Sequence, residues 1–437
     1  MLAATSERAW VAAMLQFEAA LAAAAGELGL IPMEAVEAIS VKCGVDDYDI
    51  AQLGEEARRY ANPAAPLVEA LRSKVDKQAA QFVHLGATSQ DVVDSAMMLI
   101  AQKGLVLVLE DLDRGAMAAA RLADEHRSTL MPARTLMQQA LPTSFGLRAA
   151  GWLTSIDEAR AEVERVRYKR VALQFGGAAG TLASLTNRGL ELRARLAEVL
   201  GLPDTAIPWH TSRARVVEIG NALGVASGVA GKVALDIVLM SQTEVGEVSE
   251  RAAEGKGGSS TLPQKRNPVE SVAILAAARG VNAQVGLLQQ AMVQEHERAA
   301  GAWQSEWPAL SETFRLAGGA VSRLADVLSN LHVDAARMRR NLDATGGLVM
   351  AESVVTALSQ KIGAVEARRL VERLVKAGGP SGKSFDQMLK DDREIAGKLD
   401  GGALDAALDP RNYLGASEQL IDRALESYNA TKRKGND

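Results

Sequence analysis

The feature that most constrains this chain is the length over which it keeps a helical pattern. Residues 91–130, 144–173, 212–253 and 269–300 each read as one long helix, rich in the helix formers Ala, Leu, Glu and Arg. A globular helix averages roughly 11 residues. Helices several times that length must bury an apolar stripe along their whole run, and they do so by lying against one another as a bundle. At the N-terminus Trp10, Met14, Phe17, Leu21 and Leu28 recur at helical spacing, and that amphipathic helix is expected to end near Gly29, ahead of Pro32. Only 16 of 437 residues are aromatic, and alternating β-branched runs are absent, so an extensive sheet is not expected. The fold class is therefore all-α.

Several functional classes drop out at this level. The formal net charge of -5 argues against a globally basic nucleic-acid binder. Cys43 is the single cysteine, so neither an intramolecular disulfide framework nor a cysteine-based zinc cluster is available. The longest uncharged run, Val171–Asn187, contains three glycines, Gln174 and Asn187, whereas a membrane span needs roughly 20 mainly apolar residues. Glu7 and Arg8 stand where a signal peptide needs its apolar core. A cytoplasmic protein without a membrane partner is expected. Gly220, Gly224 and Gly228 share one helix face, where a second helix can approach closely. NLDATGG at 341–347 and AGGPSGKS at 377–384 interrupt the helical pattern. We expect a helical N-terminal part (1–90), a long-helix core (91–340) and a helical C-terminal part (341–437).

The segment GKGGSSTLPQKRNP, 255–268, is the richest in chemistry. Its glycines let the backbone approach a ligand, Ser259 and Ser260 offer hydroxyls, Lys265 and Arg266 supply charge, and Asn267 an amide. Pro268 suits the first position of a helix. A loop of this kind, ending at a helix N-terminus, is suited to hold an anion. It lacks the spacing of a phosphate-binding P-loop.

GSSTLPQKRNP resembles the signature loop of the fumarase/aspartase superfamily, G-S-S-x-x-P-x-K-x-N-P. HLGATSQDVVDSA (84–96) and ARTLMQQALPTSFG (133–146) resemble the superfamily's first and second characteristic regions, so the likeness runs over nearly the whole chain. Together with PWHTSRAR (208–215), EHERAAGAWQSEW (295–307) and GGLVMAE (346–352), it is nearest to the lactonising cycloisomerase branch, whose substrates are carboxymuconates. The adenylosuccinate lyase branch is the alternative, and a non-catalytic protein on the same scaffold a third reading.

The resemblance implies a homotetramer whose long central helices form a shared bundle and whose active sites draw on several subunits. It implies a reaction that needs no metal and no cofactor, on a small polycarboxylate. A carboxylate of the substrate adds across the substrate's own double bond through an aci-carboxylate intermediate. Ser259, or its neighbour Ser260, takes the acid/base role, with Lys265 stabilising the alkoxide. His84, Thr88, Ser89, Gln90, Arg134, Gln138, Gln139, His210, Thr211, Arg213, Asn267 and His296 are the implied substrate-binding groups. One departure matters. Many superfamily lyases carry a histidine where this chain has Leu136, and leucine cannot relay a proton. That suits a reaction whose nucleophile and leaving group are both carboxylates. Ser212 and Ala214 also depart from the usual pattern. Trp152, Trp303 and Trp307 are expected to pack in the core.

Overall fold

The computed structural model describes residues 1–251, 257–258, 262 and 265–434. Six long helices dominate: α1 (Glu7–Glu27), α2 (Ser89–Glu125), α3 (Phe145–Lys169), α4 (Ala214–Met240), α5 (Val269–Gln290) and α6 (Ala302–Ser329). Shorter helices fill the first 80 residues and the region after residue 334. Strand content among the described residues is two antiparallel pairs, β1 (Leu130–Thr135) with β2 (Gln138–Ser144), and β3 (Val248–Ser249) with β4 (His332–Val333). The all-α expectation holds.

Helix ends follow local chemistry. Ser6 caps α1, its side chain accepting from the Ala9 N–H. The helix stops where Gly29 adopts φ 68° and the Leu30 N–H reaches back to the Ala25 carbonyl. Two expected helices are shorter in the structure. The third ends at Met240, because the Glu247 N–H returns to the Met240 carbonyl (2.8 Å) through a turn with Gly246 at φ 60°. The fourth ends at Gln290, ahead of a loop in which His296 adopts φ 44°. Gly346 and Gly347, both at positive φ, make the expected break after the Ala335–Asp343 helix. The helix Ala364–Ser381 runs on through most of the other expected turn and stops at Gly382.

The chain forms two compact units, each assembled from three separate stretches. The first takes Met1–Asp113, Glu158–Gly231 and Ala273–Arg323, the second Arg114–Asp157, Lys232–Val272 and Leu324–Asp437. Inside the first unit, a Cβ at Gly220 would lie 2.6 Å from Leu288, so this glycine does bring α4 against α5, whereas one at Gly224 would make an ordinary 3.5 Å contact with Val285. Gly228, expected to share that role, faces open space. In the second unit, a core of Val354, Leu358, Leu370, Phe385, Leu389 and Ile395 holds the C-terminal helices together.

Four helices, Glu7–Glu27, Ser89–Glu125, Ala214–Met240 and Val269–Gln290, are long and apolar enough to cross a membrane, which corrects the sequence reading. That reading counted uninterrupted uncharged runs, whereas a span tolerates a charge or two. The apolar windows of the first two are mostly buried, 67% and 72%. That of α5 is only 28% buried.

Candidate active site

In the first unit, three segments far apart in sequence converge on one carboxylate, Asp91. It stands in the first turn of α2, fully buried. Its Oδ1 accepts from Gln174 Nε2 (3.0 Å), the Gly176 N–H (3.0 Å) and His210 Nε2 (2.8 Å). Its Oδ2 accepts from the N–H groups of Thr88 (3.0 Å) and Gly177 (2.8 Å). Gln174 in turn binds the Trp209 N–H through its Oε1. HLGATSQD, the uncharged run at 171–187 and PWHTSRAR are thus tied into one node. The histidine's tautomer follows: with Nε2 donating to Asp91, the neutral ring presents Nδ1 as an acceptor. Gly180, at φ 83°, lies beside that face, where a Cβ would come to 3.8 Å from Nδ1, an ordinary contact.

Beside the node, Thr211 Oγ1 donates to the His296 carbonyl (2.8 Å), and Arg298 donates to the Ala178 carbonyl (2.8 Å). EHERAAG therefore lies along PWHTSRAR and the glycine loop, with the His296 side chain exposed. His84 sits at φ 66°, and its Nδ1 bonds to the buried Glu18 carboxylate of α1 at 2.7 Å. Thr88 and Ser89 are half-buried at the start of α2.

Two expected ligands turn out to be internal struts. Arg213 is 1% exposed, and all five of its N–H groups are engaged. It forms a two-pronged pair with Asp94 (2.7 and 3.0 Å), bonds Glu306 through Nε and a terminal nitrogen, and touches the His210 carbonyl. Burial works against its charge, but Asp94 and Glu306 override it and raise its pKa above the usual arginine value. Burial also pushes the Glu306 carboxyl up, against the pull of Arg213. No donor remains for a substrate. Gln90 is likewise fully buried, its amide NH2 donating to the His210 carbonyl (2.7 Å) and to Asp94 (3.0 Å). Trp303, buried, adds its Nε1–H to Asp94 (2.9 Å) and meets Trp307 edge-on.

The second unit holds the other two regions. RTLMQQALPTSFG is not helical at its start but a β-hairpin. Leu136 and Met137 form its two-residue tip, with φ 49° and 68° and exposures of 98% and 68%. The departure at Leu136 thus stands at the most exposed point of the hairpin. Gln138 is exposed next to it. Gln139 donates to the Asn341 carbonyl (3.0 Å), and its Oε1 is buried without a hydrogen bond. Arg134 grips the buried carboxylate of Glu247 with two bonds (2.9 and 2.7 Å), to which Asn341 adds a third (2.8 Å). Arg148, largely buried with Asp236, Glu247 and Arg134 nearby, has its pKa lowered first by burial. Trp152 is buried and donates to Asp236 (2.8 Å).

Ser259 and Ser260 lie outside the described residues. Of the signature segment, Lys265 and Arg266 are exposed and Asn267 half-buried. Gly258 and Arg266 form an antiparallel bridge, and the Asn267 N–H bonds to the Gly257 carbonyl (2.9 Å). Gly257 has φ 72°, and a Cβ there would meet the Asn267 carbonyl oxygen at 2.8 Å, so only glycine fits. The helix N-terminus expected to receive an anion does hold one, but it is the protein's own. Glu250 accepts from the N–H groups of Glu270 (3.1 Å) and Ser271 (2.7 Å) and from the Ser271 hydroxyl (2.7 Å).

Sequence reasoning therefore missed the carboxylates that organise both regions: Asp91, Asp94 and Glu306 in one, Glu247 and Glu250 in the other. Asp91 was within reach, as the last residue of TSQD at a helix start. The others carry no local signal.

The comparisons with known proteins agree with this architecture. The Lyase family matches residues 1–285, and the family described as adenylosuccinate lyase C-terminus matches 347–424. A 3-carboxy-cis,cis-muconate cycloisomerase of Bradyrhizobium diazoefficiens is 45% identical over 98% of this chain and 95% of its own. A nitrosuccinate lyase of Streptomyces davaonensis is 41% identical over 97% and 91%. The crystal structure of the 3-carboxy-cis,cis-muconate lactonizing enzyme from Pseudomonas putida superposes with a TM-score of 0.94 at 39% identity, covering 97% of this chain and 96% of that one. The chain belongs to the fumarase/aspartase superfamily of lyases.

Proposed function

We propose that this protein is a cycloisomerase that closes 3-carboxy-cis,cis-muconate to 4-carboxymuconolactone, a step in the breakdown of aromatic compounds. The observation that carries the reading is whole-length similarity to such enzymes at 45% and to a lactonizing-enzyme structure at 0.94. The residue chemistry supports it. In the reaction one substrate carboxylate adds to the neighbouring C=C, forming the ring C–O bond. The electron pair moves onto the adjacent carbon and into its carboxylate as an aci-carboxylate. A proton delivered to that carbon completes the lactone. The acid is a signature serine, Ser259 or Ser260, reprotonated from solvent after each turnover. Lys265 and Asn267 hold the carboxylate on which charge develops, with donors fixed before the charge appears. Thr88, Ser89, His84 and His296 bind the remaining carboxylates, while Thr211, whose hydroxyl is spent on the His296 carbonyl, and His210, whose Nδ1 is an acceptor, shape the site around them. Gln90, Arg213 and Asp91 act indirectly, by setting His210. Arg134, Gln138 and Gln139 complete the second region, Arg134 through its hold on Glu247. An ionised carboxylate needs no base to act as nucleophile, so Leu136 removes nothing this reaction requires.

We further infer a cytoplasmic homotetramer with sites shared between subunits. Val225, Leu235, Val272, Leu287 and Val293 are exposed on α4, on α5 and just beyond it, at 50%, 46%, 52%, 38% and 85%. Apolar side chains exposed along helices this apolar support burial against other copies of the chain.

A spectrophotometric assay tests the reading, following loss of the diene on 3-carboxy-cis,cis-muconate and a 4-sulfonated analogue and appearance of fumarate on adenylosuccinate and nitrosuccinate. Rapid loss of the carboxymuconate diene with lactone as product is expected. Cleavage of nitrosuccinate or adenylosuccinate with no lactone formed overturns it. Nitrosuccinate belongs in the panel because that lyase is nearly as similar to this chain.

A further inference from the structure

We infer that Glu250 is the positioning residue that holds the first turn of α5 and so sets Lys265 and Asn267 for substrate. The inference rests on the proposed activity for its catalytic consequence and on geometry alone for the hold on that turn. Glu250 directly follows β3, whose pairing with β4 fixes the backbone at the segment's entry (Val248 with Val333, Ser249 with His332). Just before the strand, Glu247 is held by Arg134 and Asn341. The chain then leaves for the signature segment and returns as α5. The N–H groups of Glu270 and Ser271, in the first turn of that helix, land on the Glu250 carboxylate together with the Ser271 hydroxyl. The residue before the segment thus clasps the residues after it. Lys265 and Asn267 lie only a few residues upstream of the clasp, and the bond from the Asn267 N–H to the Gly257 carbonyl keeps the segment's described ends together.

The clasp does two things. It fixes where α5 starts, and so the reach of Lys265 and Asn267. It also neutralises the positive pole of a 22-residue helix, so the substrate anion must be met by side chains and not by that pole. Glu250 also lines a cavity of about 210 Å³ with Arg266, Asn267, Pro268, His332 and Asp334.

The experiment compares wild type, E250A and E250Q, with sodium formate as the probe. Hydrogen exchange of the Glu270 and Ser271 amides reads the clasp without any substrate, and turnover of 3-carboxymuconate reads its consequence. In E250A these amides exchange faster and kcat/KM falls about 30-fold, the scale of losing a charge-assisted hydrogen bond. Formate restores both the protection and the turnover while leaving wild type unchanged. E250Q, which keeps an acceptor oxygen but no charge, falls between. If E250A does not fold, E250Q is scored for the same two readouts. Unchanged protection overturns the clasp. Protection lost with wild-type kcat/KM, or protection restored by formate without turnover, overturns the positioning role. If wild type turns over no muconate, the functional reading fails by itself, and the exchange measurement alone decides the clasp.

Discussion

The Asp91 node and the signature segment both belong to the proposed site, yet they are built in opposite ways. At the node the charged groups are buried and matched, and Gln90 Oε1 is a buried atom left without a hydrogen bond. Asp91 receives five donors, and Arg213 spends all of its own on Asp94, Glu306 and a carbonyl. At the segment the cations Lys265 and Arg266 are exposed, and what is fixed is the frame around them: the clasp at Glu250 and the turn at Gly257. A buried network cannot shift a partner without leaving a desolvated charge, so it sets geometry. An exposed cation on a clasped segment can exchange water for substrate. Under the proposed function, the difference gives orientation to one region and ligand contact to the other.

The largest test of this contrast is Arg213→Met. It leaves Asp94 and Glu306 buried without their cation and is expected to cost about 3–5 kcal/mol of stability, read by denaturant unfolding. A stable variant with poor substrate affinity would instead return Arg213 to the list of ligands. Asp91→Ala comes next. It strips the acceptor from His210 and from three backbone N–H groups and is expected to lower stability by about 3 kcal/mol, with loss of activity in whatever protein remains folded. Lys265→Ala should do the reverse: kcat/KM down about 100-fold and thermal unfolding essentially unchanged, since the side chain is exposed. A fall in melting temperature equal to that of the node variants would erase the distinction.

The smallest effect sharpens the comparison at its edge. Leu136 and Met137 both hold positive φ at the hairpin tip, so Leu136→Asn with Met137→Gly is expected to raise stability by roughly 0.5–1 kcal/mol. If the double variant instead lowers the oligomeric state on a sizing column, the exposed tip is a subunit contact.

How legible all this was varies by element. The long helices were read correctly from pattern, because a 3.6-residue period sustained for 20 residues or more has few competing folds. Their C-terminal ends were overrun at Met240 and Gln290, because the turn residues there stop a helix only through bonds made back to it. The hairpin at 130–144 was invisible to propensity. Its evidence is a two-residue turn of Leu and Met, residues that rarely adopt positive φ. Among the proposed site residues, the sequence named the segments, but it left the direction of individual side chains open. Arg213 reads as a ligand in sequence, and only the positions of Asp94 and Glu306 turn it inward.

The sequence alone settled the composition of this protein's chemistry: helical periodicity, a serine-, lysine- and asparagine-bearing loop after glycines, and a leucine where a proton relay is otherwise common. These are properties of residue type and local spacing, and both are present in the chain before it folds. The tertiary structure alone decided which charges are spent on one another. Glu250 reaches the α5 terminus 20 residues on, and Asp91 reaches His210 across 119. Such pairings depend on loop closures and on desolvation of both partners at once, and neither leaves a trace in local sequence.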